Sequence, residues 1–219
     1  MYKILTELGQ GAFGHVYLLQ TPNFEKYALK ITKRKNLKEA EIMKYLCHAH
    51  LVKCFDFIAK SLHLYLVIEY CSQGTLNDLV KQQQKHIPEK ILLKMLCQLS
   101  DVLRYLCAKN VIHRDLKPDN IFLDKHKNIK VGDVGVARVL EHTSEEVSTV
   151  VGAWVYMSPE MHAGKKYTFK TDIWSLGCCM HELMTLQRTF FSLKDLFERR
   201  VCIMINLPDL PPFCTVTAI

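Results

Sequence analysis

The change of hydrophobic pattern at Cys71-Ser72-Gln73-Gly74 constrains the fold of this chain more than any other feature. Before it, apolar residues fall in short β-rich runs over 2–8, 16–20, 26–32 and 62–70, separated by a glycine cluster and by Thr21-Pro22-Asn23. The last run is almost wholly apolar and reads as a buried strand. Within this stretch only residues 39–47 show helical spacing, at Ala40, Met43 and Leu46. After the break, residues 88–108 open on a proline suited to a helix start and repeat apolar residues at Leu92, Met95, Leu96, Leu99, Leu103 and Leu106. Thr171 or Asp172 is placed to cap a second long helix ending near Thr185, and residues 120–123 and 129–131 read as short strands between the two. The polar tract Gln82-Gln83-Gln84 reads as an exposed helix end. The expected fold is α+β and bilobal. A β-rich lobe with one helix spans 1–70, a hinge 71–74, and an α-rich lobe 75–219, all within one domain.

Composition narrows the function. With 219 residues, 49% hydrophobic and 23% charged, the chain can bury a sizeable core and is not of disordered type. The net charge of +7 includes one tight basic cluster, Lys33-Arg34-Lys35, and no nucleic-acid motif accompanies it, so no nucleic-acid partner is expected. Nine cysteines, none spaced Cys-x-x-Cys, support neither a zinc site nor a disulfide framework. Cys97, Cys107, Cys178 and Cys179 stand in apolar stretches and read as small core hydrophobes. The first seven residues lack an apolar signal core, and no apolar run reaches spanning length. A reducing setting, cytoplasmic or nuclear, and no membrane insertion are the expectation.

Two motifs carry the chemistry. Gly9-Gln10-Gly11-Ala12-Phe13-Gly14-His15-Val16 lies between two strand-like runs, and its glycines let backbone approach phosphate oxygens closely. Gly-x-Gly-x-x-Gly alone also fits a dinucleotide fold, in which a helix should follow. Here a strand follows, and Ala28-Leu29-Lys30 on the next strand offers a fixed cation for the α- and β-phosphates. The second motif, His113-Arg114-Asp115-Leu116-Lys117-Pro118-Asp119-Asn120, is the more specific. In phosphoryl transfer, positioning and charge neutralisation do nearly all the work. Asp115 would orient the attacking hydroxyl and accept its proton, Lys117 would neutralise the moving phosphoryl group, and Asn120 would hold Mg2+. Thirteen residues on, Asp133-Val134-Gly135 would supply a second hard oxygen ligand.

Taken together these motifs resemble the protein kinase superfamily across residues 1–186. Ile129-Lys130-Val131-Gly132-Asp133, Tyr156-Met157-Ser158-Pro159-Glu160 and the stretch 169–178 are similar to its NIMA-related branch. The resemblance implies a protein kinase-like fold and transfer of the γ-phosphoryl group of ATP to a protein Ser or Thr. It also implies a nucleotide site. Ile68 would be the gatekeeper, with Glu69 and Cys71 bonding adenine through their backbones. Leu8, Val16, Ala28 and Phe122 would sandwich the ring, and Glu39 would pair with Lys30. Thr149 would be an activating phosphosite with Arg114 as the partner of the added charge.

Four departures from that pattern suggest an alternative, a catalytically weak or silent ATP-binding scaffold. Lys30 and Glu39 are nine residues apart, about half the separation the resemblance implies, which places Glu39 in the first turn of its helix. Val134 stands where a Phe is expected to pack between His113 and Met43, a loss of about 1–3 kcal/mol of packing. Val134→Phe is therefore expected to raise activity. Ala153 replaces a Thr that would bridge Asp115 and Lys117, which should lower turnover. After a helical stretch over 191–210, the chain reaches residue 219 without the last helices of the lobe or a match to the Arg expected opposite Glu160.

Overall fold

The computed structural model describes residues 2–11, 14–33, 37–83, 85–133, 137–139 and 153–190, with only the backbone of Glu39 and Arg138. Ala12, Phe13, Val134, Thr149, the side chain of Glu39 and the stretch 191–219 therefore lie outside the described residues.

The first lobe is one antiparallel sheet of β1 (Lys3–Gly11), β2 (Gly14–Gln20), β3 (Lys26–Lys33), β4 (Cys54–Lys60) and β5 (His63–Glu69), ordered β1-β2-β3-β5-β4. Cross-strand pairing sets Val16 opposite Lys30, Leu18 opposite Ala28, Ala28 opposite Ile68 and Lys30 opposite Leu66. Directly paired residues share a face of a pleated sheet. Val16, Ala28, Lys30 and Ile68 therefore line one side. The helix α1 (Leu37–Tyr45) covers part of the sheet through a small core of Ala40, Met43, Cys54, Leu64 and Leu66. Glu39 is the third residue of that helix, in its first turn as expected.

Strand β4 has no counterpart among the sequence expectations. It is an edge strand with a register shift between Cys54 and Asp56, and the two residues after buried Cys54 are both exposed. A bulge of this kind destroys the alternation by which a half-buried strand is read. The apolar run 62–70 also needs correction. Leu62 is exposed in the turn before β5, and only Leu64 and Leu66 are fully buried.

The second lobe contains α2 (Leu76–Gln82), α3 (Glu89–Ala108), β6 (Val111–Ile112), β7 (Ile121–Leu123), β8 (Ile129–Val131), β9 (Arg138–Val139), α4 (Pro159–His162) and α5 (Lys170–Thr185). Helix α3 buries Met95, Leu96, Leu99, Val102, Leu103 and Leu106 along one stripe, and Pro88 is its N-cap. Full burial of such side chains is worth about 1.5–3 kcal/mol each, so this stripe supplies the spine of the lobe. Cys178 and Cys179 of α5 are buried as expected, whereas Cys97 is exposed on α3. It falls on the polar side of the same stripe. Helix α2 escapes the sequence reading because it is a single short unit. A reciprocal cap between Thr75 and Asp78 starts it, and it ends at Gln82 beside exposed Gln83.

Two expectations about α5 and β7 are corrected. Thr171 and Asp172 lie inside α5, whose N-cap is Phe169, and both are buried. Asn120 belongs to a 3-10 turn over Pro118–Asn120, and β7 begins after it. In each case a polar side chain is turned towards a neighbouring loop instead of its own element.

Backbone and side-chain contacts join the lobes at several places among the described residues. The Gln73 N–H donates to the Leu123 carbonyl (3.1 Å) and the Leu123 N–H to the Gly74 carbonyl (2.9 Å), tying the hinge to β7. The segment after α1 pairs with β8 through Val52 N–H to Val131 O and Val131 N–H to His50 O, both 2.8 Å. His48 Nε2 also meets Asp101 of α3 at 3.1 Å.

Candidate active site

The lower half of the site is built on α5. The buried carboxylate of Asp172 accepts the backbone N–H groups of His113 (2.8 Å) and Arg114 (2.9 Å). Burial lifts this carboxyl above the ordinary carboxylate range, against the opposing pull of His113 and the two N–H groups. Arg114 takes the left-handed conformation, φ 67°, which a non-glycine residue keeps only when its surroundings compel it. The turn throws His113 and Asp115 inward.

His113 is fully buried and its tautomer is determined by its partners. Nε2 lies 3.0 Å from the Gly132 carbonyl, which can only accept, so Nε2 carries the proton; Nδ1 then accepts the Asp115 N–H at 3.3 Å. The His113 ring thus staples the segment bearing Asp115 to the segment bearing Asp133. A second staple runs from the Gly132 N–H to the Asn120 carbonyl at 2.9 Å.

Asp115 is buried and closely held. Its Oδ2 accepts Lys117 Nζ (2.8 Å) and Asn120 Nδ2 (2.9 Å), and its Oδ1 accepts the Ala153 N–H (2.8 Å). Asn120 Nδ2 also donates to the Asp115 carbonyl at 2.8 Å. Both amide hydrogens of Asn120 are therefore spent on Asp115, and its side-chain oxygen is turned away as a hard acceptor. Asp133, with φ 55°, places Oδ1 2.8 Å from Lys30 Nζ. This contact joins residues 103 positions apart and unites the two lobes. The structure thus pairs Lys30 with Asp133 and binds Lys117 and Asn120 to Asp115, and the two sets are joined by the backbone N–H of Gly132, next to Asp133, on the Asn120 carbonyl.

The residues expected to form the upper half are distributed around these groups. A Cβ added to Gly14 (φ 123°) would lie 1.9 Å from the Ile31 carbonyl oxygen, so only glycine fits. A Cβ on Gly9 would meet nothing within 4 Å, leaving open space beside the β1–β2 hairpin. Val16, Ala28 and Ile68 share the face that carries Lys30. Leu8, unpaired at a register shift, is 42% exposed. His15 alternates to the other face of β2 and bonds Glu7 at 2.9 Å; Gln10 is its register partner. Only the backbone of His15 therefore accompanies Val16 on the site side.

At the hinge, Glu69 pairs with Lys130 at 2.7 Å and also accepts the Lys53 N–H. Burial, with the Glu69 carboxylate second, pushes the Cys71 thiol up to about 12. Phe122 rises from β7 against Gly132, where an added Cβ would approach its ring to 2.9 Å.

The donor chemistry suits Mg2+. Asn120 and Asp133 offer hard oxygens, and Mg2+ is commonly held by one or two protein oxygens together with substrate phosphates. Among the described residues no three His, Cys, Asp or Glu side chains form a metal cluster. Among them, too, no helix is long and apolar enough to cross a membrane.

Two elements of this site escaped the sequence reading. The local signature of Asp172 is a helix cap, whereas its partners are backbone groups nearly sixty residues away. The Ala153 N–H carries no side-chain signal at all.

Known proteins resemble this chain over most of its length. Residues 2–210 match the family described as protein kinase domain. Among curated relatives, the serine/threonine-protein kinase Nek4 of Mus musculus is 34% identical over 207 residues, covering 89% of this chain and 26% of that protein. Nek5 of Homo sapiens is 36% identical over 202 residues, covering 86% of this chain and 28% of its own length. Nek2 of Homo sapiens is 33% identical over 217 residues, with coverages of 89% and 49%. The chain thus spans about a quarter to a half of the curated relatives it matches.

Proposed function

The chain belongs to the protein kinase domain family, its curated relatives are NIMA-related Ser/Thr kinases, and from this premise we propose that it transfers the γ-phosphoryl group of ATP to a Ser or Thr hydroxyl of protein substrates. The observation that carries the reading is the convergence of the Lys30–Asp133 pair and the Asp115–Lys117–Asn120 cluster, joined through the Gly132 N–H to the Asn120 carbonyl.

In this reading the triphosphate lies beneath the Gly9–Gly14 hairpin, and Lys30 turns from Asp133 to the α- and β-phosphates. Adenine lies between Leu8, Val16 and Ala28 above and Phe122 below, bounded by Ile68 and bonded by the backbones of Glu69 and Cys71. Gln10, Gly11, Ala12, Phe13 and His15 would belong to the phosphate-binding segment, and Glu39 would be a further partner of Lys30. Asn120 and Asp133 would hold Mg2+, which neutralises charge on the phosphates. Asp115 Oδ1 takes the proton of the acceptor hydroxyl as its oxygen bonds to the γ-phosphorus and the bridging P–O bond to ADP breaks. Lys117 offsets the negative charge spread over the moving group. Phosphorylation of Thr149 would give Arg114 an anionic partner.

One observation favours a second reading, a weak or silent ATP-binding scaffold. Helix α1 begins at Leu37, so Glu39 lies in its first turn, where helix ends fray. A phosphotransfer assay on the purified chain beside Asp115→Asn decides between them. Turnover above that control supports the kinase. A rise in melting temperature with ATP and no turnover supports the scaffold.

A further inference from the structure

We infer that the backbone N–H of Ala153 is a positioning group for Asp115, selecting Oδ1 as the oxygen that receives the substrate proton. The inference rests on the kinase reading above and concerns the same site.

A carboxylate has about four acceptor positions, two on each oxygen. Oδ2 of Asp115 spends both, on Lys117 Nζ and Asn120 Nδ2. Oδ1 spends one, on the Ala153 N–H at 2.8 Å. The remaining lone pair is on Oδ1, and the side chain is only 4% exposed. A hydroxyl approaching Asp115 therefore meets Oδ1 in one orientation, with no rotation of the carboxylate available.

The donor is rigidly mounted. Ala153 heads a 3-10 turn over Trp154–Tyr156 and accepts the Tyr156 N–H at 2.9 Å. Tyr156 is bolted to α5 on both sides, its hydroxyl donating to buried Glu182 (2.7 Å) and its carbonyl accepting Ser175 Oγ (2.7 Å). His162 Nε2 closes on the Trp154 carbonyl at 2.7 Å. Helix α5 thus reaches the same carboxylate by two independent routes. One runs through Asp172 and the backbone of residues 113–114, the other through Tyr156 and the Ala153 amide. In this chain the amide holds Asp115 without a side-chain hydroxyl at position 153.

The test removes the N–H and keeps the backbone. Ala153 has φ −83° and ψ 116°, close to the roughly −65° of proline, so Ala153→Pro deletes the donor with little conformational change. The expected result in the 219-residue chain is a fall in kcat of about 10–100-fold, with KM for ATP within about twofold of wild type. Ala153→Gly, which keeps the amide, should lose less than about threefold. Because proline adds a ring carbon near Oδ1, a backbone ester at position 153 (lactic acid introduced by nonsense suppression) supplies the second variant; it should lose about tenfold in kcat. A kcat for the ester within about twofold of wild type overturns the inference and leaves the kinase reading standing. So does an equal loss in Ala153→Gly, or a rise in KM for ATP that matches the fall in kcat. Wild-type turnover no greater than Asp115→Asn overturns both.

Discussion

The floor and the roof of the site are held in different ways. Below, Asp115 is buried and gripped by three donors, two of them within five residues of it in sequence, while α5 anchors the loop from beneath. Above, Lys30 extends from an open sheet, and its bond to Asp133 spans 103 residues and two lobes. The floor's geometry is over-determined by contacts within one lobe; the roof depends on how the lobes are set against each other. A preformed floor and an adjustable roof suit a reaction in which a nucleotide must enter, be clamped and leave.

That contrast can be broken most severely at Asp172. Asp172→Ala would remove the acceptor of one buried and one part-buried N–H group, each worth about 1–3 kcal/mol, so a loss of about 2–6 kcal/mol is expected in denaturant unfolding, with activity abolished. Next in size is Lys30→Met. It should lower kcat by about 100-fold or more while leaving the denaturant midpoint far closer to wild type than Asp172→Ala does. Equal destabilisation by the two variants would erase the distinction between floor and roof. Gly14→Ala tests the roof's own turn, since the new Cβ would strike the Ile31 carbonyl. Strain of about 1–3 kcal/mol is expected, read as weaker ATP-induced thermal stabilisation.

The hinge between them gives a smaller effect, legible by chemistry. With its thiol pushed up to about 12, Cys71 is neutral at physiological pH. Alkylation followed by mass spectrometry should find it slower than exposed Cys47 and Cys97, its rate rising as pH climbs towards that value. The smallest effect is expected at the seam behind the site. The Arg104 hydrogen bond, seconded by His48 and opposed by burial, holds the Asp101 carboxyl below its ordinary value. A depressed folded-state value means the stabilisation is present above the unfolded value and lost as pH falls through the folded one. Asp101→Asn should therefore flatten the acid limb of the stability curve below pH ~4, modestly, because the side chain is 42% exposed.

Legibility in the sequence follows the range of the interactions. Strand β3 and helix α3 declare themselves because burial on one face imposes a short period on apolar residues, and β1, β2 and β5 through their β-rich composition; β1 does so although residues 2–10 are exposed. Strand β4 does not, since its bulge and edge position free it from that period. Residues 113–120 could be read because nearly every polar group in that stretch has a chemical task at a set spacing. The same logic misplaced Thr171 and Asp172, whose local signature is a helix cap. Burial against the backbone of residues 113–114 outweighs capping, because unpaired N–H groups in the core cost more than a frayed helix start.

The amino-acid order alone determined which side chains are available, namely a strand lysine, a loop aspartate with its lysine and asparagine, and a second aspartate thirteen residues on. It determined the two-lobed α+β plan as well, since apolar period is a local property. Only the tertiary structure decided that Lys30 meets Asp133, that Asp172 holds up residues 113–114, and that the amide of Ala153 grips Asp115. The physical reason is that backbone donors are identical at every residue. Which of them becomes a functional group depends on the packing that brings a distant carboxylate within 2.8 Å.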